Sequence, residues 1–187
     1  MELGVSKMKA ILMSIKPKYV ADILNGKKTI EIRKKFPSDY VGWVYIYCTK
    51  DGKQLVDCPQ WVENDLCYQF WYDKNIALLE NSQMLLNGKV VARFWCDKVE
   101  NIKWHKDTAI DLDYYKVVNV IENEEILKAS CLRLEELEDY LQIKNAKNIP
   151  LDWGITFSLG YAIHITKVEP FDKPKDISEF HKYCDKH

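Results

Sequence analysis

The sequence predicts an α+β fold: a small twisted β-barrel with helices on the outside and an insertion in its middle. Three observations carry this. Short β-rich runs recur along the chain, a single early segment has the helical period, and two more helical segments come late, at 122–129 and 133–141. With 187 residues, 47% of them hydrophobic, the chain is long enough for a real core. No repeat, low-complexity tract or Gly/Pro/Ser-rich linker divides it, so one domain over 1–187 is expected.

The elements follow in order. Residues 8–15 (MKAILMSI) form an apolar run suited to a buried strand, and Pro17 stands where a helix can start. Val20, Ile23 and Leu24 then fall on one helical face, and Asn25-Gly26 supplies a left-handed cap, with Lys27 and Lys28 just beyond it. At 29–33 (TIEIR) the period drops to two: Ile30 and Ile32 face inward, while Thr29, Glu31 and Arg33 share the other face. Phe36-Pro37-Ser38-Asp39 reads as a turn, and 42–49 as a further strand. Residues 50–88 lack a clean period and read as an insertion with its own small packing. Lys89 begins a strand running through Cys96 toward Val99 and Ile102. The last clear strand is 160–168, followed by a proline-marked tail at 171–180.

Composition excludes several classes. A sequence pI of about 6.4 does not describe a strongly basic nucleic-acid binder. No apolar run reaches the ~20 residues a membrane span needs, and no signal peptide is visible, so a cytoplasmic protein without a membrane partner is expected. The six cysteines have long, irregular spacings without CxxC or histidine partners; they read as unpaired thiols in a reducing compartment, with no metal and no cofactor implied. The net charge of -1 hides an asymmetry, because residues 1–50 hold ten Lys/Arg against four acids, a local +6 that leaves -7 for the remainder.

The basic sector surrounds the most informative stretch, Gly26-x-Lys28-x-x-Glu31-x-Arg33. Side chains two apart on a strand are about 6.6 Å apart, so a carboxylate flanked by two cations there is electrostatically paired. Arg33 can fork onto phosphate or a base carbonyl, Lys28 can act as a point charge, and Glu31 can accept from an amine. The same residues could equally form a surface salt-bridge cluster worth little.

The run SIKPKYVADILNGKKTIEIRKKFP resembles the ASCH (activating signal cointegrator homology) family, part of the PUA-like superfamily of small β-barrels associated with RNA. GKVVARFWCDKVENI and GYAIHITKVEPFDKPKDISEF resemble its central and closing segments, whereas 50–88 and 144–155 fall outside the resemblance. The resemblance implies an RNA- or nucleoside-binding cleft with Lys28, Glu31 and Arg33 on its floor and Lys16, Lys34 and Lys35 tracking a phosphate backbone. Some relatives deacetylate N4-acetylcytidine with a Lys and a Thr of this motif and a Glu further along. Lys28 matches the Lys, but Glu31 stands where the nucleophilic Thr would be, which moves the reading toward binding and leaves catalysis by Lys28 and Glu31 as the alternative.

His164 lies on the face of Ala162 and Thr166, as either a cleft-lining or a structural histidine. Trp61, Phe70, Trp71 and Tyr72 could stack on bases, or fill the packing of the insertion. The acidity of 122–139 supports a third reading, a protein-interaction module engaging a host protein.

Overall fold

A computed structural model gives the structure, and it describes residues 10–50, 53–58, 67–71, 84–107, 114–118, 124–142 and 156–180. The elements are β1 (Ile11–Ile15), α1 (Pro17–Leu24), β2 (Ile30–Arg33), β3 (Gly42–Cys48), β4 (Gln54–Cys58), β5 (Cys67–Trp71), β6 (Met84–Leu85) and β7 (Val90–Cys96). They continue with β8 (Val99–Asp107), β9 (Tyr114–Val118), α2 (Glu124–Ser130), α3 (Leu134–Leu141), β10 (Thr156–His164) and β11 (Thr166–Lys175), then a 3-10 turn at Ile177–Glu179. This is a mixed α+β fold, and no helix among the described residues is long and apolar enough to cross a membrane.

The chain forms two compact units, one of residues 1–25, 42–95 and 167–187, the other of residues 26–41 and 96–166. The first unit holds the four-stranded sheet β1-β3-β7-β11, in which β1 and β3 run parallel. Along β3 the alternation is complete: Val44, Ile46 and Cys48 are buried, and Trp43, Tyr45 and Tyr47 on the other face are half-buried. Helix α1 starts at Pro17, whose missing N–H costs nothing there, and buries Val20 and Ile23; each such side chain contributes about 1.5–3 kcal/mol. Its end is as the sequence predicts, with Gly26 at φ +71° just past the Asn25 cap.

The 50–88 segment contributes a sheet of its own, in the order β5-β4-β6, with β4 and β5 parallel. Trp61 and Tyr72 lie outside the described residues. Phe70 and Trp71 lie in β5.

The second unit holds the sheet β2-β10-β8-β9, antiparallel throughout. Residues Ile30, Ile32, Ile102 and Ala162 from this sheet pack with Ile126 of α2 and Leu137 and Leu141 of α3. The two late helical segments are thus amphipathic, burying Ile126, Leu137 and Leu141 and leaving Glu135, Glu138 and Asp139 outside the core.

Two boundaries differ from those the sequence suggests. The strand expected to run from Lys89 to Ile102 is two strands of different sheets, because the exposed pair Asp97-Lys98 breaks the apolar alternation. The strand expected at 160–168 also divides: β10 ends at His164, and Lys167 takes φ +45° at the start of β11. β11 then continues through Pro170 and Pro174, tolerable because it is an edge strand and a proline there forfeits no ladder bond on its outer side.

Candidate site on strand β2

The approach to β2 is held by the backbone on both sides. Thr29 N–H donates to Ala129 O in α2 at 2.8 Å, and Ile165 N–H donates to Thr29 O at 2.8 Å. Lys28 is therefore carried against the end of α2, where its ammonium donates to Ser130 O, the last carbonyl of that helix. A cation at a helix C-terminus is favourable, but the helix is α2, whose Ser130 is 102 residues along the chain, rather than the α1 that precedes Lys28 in sequence.

Lys28 Nζ also lies 3.4 Å from Glu31 Oε2, while the Arg33 guanidinium donates to Glu31 Oε1. The surface-cluster reading fails here: Lys28 is 2% exposed and Glu31 3%, with only Arg33 reaching half-way to solvent. Ion pairs of this kind are expensive to bury and are strongly felt when broken, unlike exposed pairs. Burial pushes the Lys28 ammonium below its ordinary pKa, with the Glu31 carboxylate opposing the shift. Glu31 Oε2 is buried and receives no hydrogen bond.

Register defines what surrounds the cluster. Arg33 pairs with Tyr161, which pairs with Asn101; Glu31 pairs with Ile163, which pairs with Val99. Directly paired residues share a sheet face, so Glu31, Arg33, Tyr161 and Asn101 stand on one side. Neither Tyr161 nor Asn101 is distinguishable from sequence alone. The alternation of 160–168 places Tyr161 on a face with Ile163, but only the pairing brings that face beside Arg33.

The other expected site residues divide. Lys34 and Lys35 follow β2 and are exposed, with Lys34 Nζ 5.5 Å from the Tyr140 ring centroid. Lys16 is exposed at the N-cap of α1 and belongs to the first unit. His164 shares the face of Ala162, as its alternation predicts, and that is the helix-covered face, opposite Glu31 and Arg33. Its Nε2 is 2.5 Å from Glu100 Oε1, which also takes Lys98 Nζ at 2.9 Å.

Lys98 and, after it, His164 hold the Glu100 carboxyl below its ordinary 4.5, with burial opposing them. A depressed carboxylate stabilises the fold above its unfolded pKa and loses that contribution as pH falls through the folded value. Lys98→Met should therefore move the acid limb of thermal unfolding to higher pH, by an effect of under about 1 kcal/mol for so exposed a pair, read from melts between about pH 3 and 6. Among the described residues no cluster of three or more His, Cys, Asp or Glu is placed to hold a metal.

No protein-family model matches the chain, and no curated protein does. Among solved structures the chain is similar to the ASCH protein of Zymomonas mobilis, at 14% identity and a TM-score of 0.48, over 91% of this chain and 76% of that one. It is similar also to a tyrosine-to-phenylalanine variant of that protein, at 13% identity and a TM-score of 0.49, over 91% and 78%. A serine-to-alanine variant matches at 14% identity and a TM-score of 0.48, over 91% and 76%.

Proposed function

We propose that the chain acts as one ASCH-type, PUA-like barrel domain in the cytoplasm, binding a nucleoside-like group, free or in RNA, on the β2 face that carries Arg33. The observation that carries this reading is the Glu31 carboxylate, buried between an ammonium and a guanidinium, with one oxygen receiving no hydrogen bond. Such a carboxylate, itself closed to solvent and paired with Lys28, fixes the guanidinium of the half-buried Arg33, which can reach a base carbonyl or phosphate at the rim of the cluster. Tyr161 and Asn101 add polar edges to the same face, and Lys34 and Lys35 supply charge for a backbone. A host-protein partner remains the reading suited to the acidic residues of 122–139.

Calorimetric titration with cytidine and N4-acetylcytidine, and with a hairpin RNA at low salt, tests the proposal. Arg33→Ala should weaken nucleoside binding by about 1.5–3 kcal/mol, and RNA affinity should fall steeply with salt. Absence of binding, or affinity indifferent to Arg33→Ala, would refute it.

The desolvated Lys28 favours a second reading, since a lysine with a depressed pKa beside a carboxylate is the form a catalytic base takes. Release of cytidine from N4-acetylcytidine, lost in Lys28→Ala but retained in His164→Ala, would make the protein an amidohydrolase. No release over the uncatalysed rate would dispose of that reading.

A further inference from the structure

The half-buried face of the β1-β3-β7-β11 sheet is aromatic where an outward sheet face is ordinarily polar. Trp43, Tyr45 and Tyr47 stand at alternate positions of β3, and Trp95 on β7 meets Trp43 edge-on, with centroids 5.4 Å apart at 82°. Phe171 on β11 lies 6.0 Å from Tyr45. Leu12 and Ser14 of β1 pair with Tyr45 and Tyr47, so they share this face, and both are exposed. On the other side of the same strands Val44, Ile46 and Phe94 are fully buried. The sheet has its core there; on the aromatic face Phe180, just past the 3-10 turn, meets Tyr45 with centroids 5.4 Å apart, so Tyr45 is taken up by the fold and Trp43, Tyr47 and Trp95 are the rings this face offers a ligand.

Cations are set among the rings. The Arg93 guanidinium is 4.1 Å from the Trp43 centroid, and Lys175 Nζ is 5.4 Å from that of Phe171. Lys167 and Lys173 are exposed on β11. Two of the nearby acids are engaged: Glu169 by Arg93 at 2.7 Å, and Asp176 by Lys89 at 3.0 Å. The local balance therefore suits an anion with apolar planes.

We propose that this face is a stacking platform for the unpaired bases of single-stranded nucleic acid, with the lysines of β11 contacting phosphate. The two central strands of a four-stranded sheet carry the rings, the arrangement on which two or three splayed bases can stack. Spacing along β3 is two residues per ring, about 6.6 Å. Stacking is sequence-tolerant because every base has a π-face, whereas a duplex keeps its faces inside. The surface belongs to the first unit and uses none of Lys28, Glu31 and Arg33, so it goes beyond the site proposed on β2.

Fluorescence anisotropy at about 50 mM salt, with a labelled oligouridylate and a labelled duplex RNA of equal length, tests it. The single strand should bind the more tightly, and the Trp43→Leu/Trp95→Leu double variant should lose about 5- to 150-fold per ring removed, while still titrating the nucleoside that Arg33 binds. Tyr47→Leu repeats the measurement should the double variant fail to melt cooperatively. Equal affinity in the variants, no binding of the single strand, or a preference for duplex overturns the proposal. So does self-association in sedimentation velocity that the same substitutions abolish, because a second protein surface would then be what the rings engage. Loss of nucleoside binding in Arg33→Ala with oligouridylate affinity intact separates the two sites.

Discussion

Lys28→Ala should cost the fold about 3–5 kcal/mol, because it leaves the Glu31 carboxylate buried with one partner fewer and the Ser130 carbonyl without its ammonium. Exposed pairs are worth under about 1 kcal/mol, so the size of the effect discriminates a buried cluster from a surface one. The double substitution Lys28→Met/Glu31→Leu should recover most of that loss. It replaces two desolvated charges by apolar groups of similar volume, an exchange that is often neutral or stabilising. Chemical denaturation of the parent protein and the two variants makes the comparison, and a loss in Lys28→Ala below about 1 kcal/mol would contradict the burial. The sign with pH follows as well. Burial lowers the Lys28 pKa in the folded state, so between that value and the ordinary 10.5 the unfolded chain holds more protons, and stability attributable to this group rises with pH across the window. Lys28→Met/Glu31→Leu should remove that rise.

Gly160→Ala should cost about 3 kcal/mol, at the upper end for overpacking, since a Cβ there would come within 2.7 Å of Arg33 O and 2.9 Å of Leu141 Cδ2. The leucine methyl can turn aside, but the Arg33 carbonyl is backbone of the neighbouring strand and can yield only by moving β2. Leu141→Ala in the Gly160→Ala background should consequently fail to rescue, adding its own cavity cost of about 2–5 kcal/mol. Because the displaced atom belongs to Arg33, nucleoside affinity should fall with stability in Gly160→Ala, whereas a core substitution in the other unit, such as Ile23→Val, should lower stability by about 0.5–1.5 kcal/mol and leave affinity unchanged. Thermal melts and calorimetric titration of the same samples read both.

Much of the secondary structure was legible because it is local. Pro17 opens α1, Asn25-Gly26 closes it, and the change of period at Thr29 marks β2, each depending on neighbours within a few residues. Local pattern is insufficient where the chain passes between sheets. The polar pair Asp97-Lys98 marks a local interruption, but nothing local says that the strands on its two sides join different sheets, or that Pro170 and Pro174 sit on an edge strand where their missing donors are harmless.

The cluster itself divides in the same way. Its members are legible as charges in the run Lys28-x-x-Glu31-x-Arg33, and strand geometry alone places Glu31 and Arg33 on one face. Their burial was not legible, because exposure depends on what the fold brings over them: Ser130 is 102 residues from Lys28, and Tyr161 and Asn101 reach Arg33 only through β10. His164 was placed on the correct strand face, yet only register with Ile30 and Ile32 shows that this face is opposite the carboxylate.

By itself, then, the sequence determined the periods, the caps, the charge asymmetry and the motif, all consequences of residues close in the chain. Tertiary structure alone decided that a Lys-Glu-Arg triplet is desolvated and that the rings of β3 and β7 share one outward face, because desolvation and cross-strand pairing are set by contacts between segments far apart in sequence.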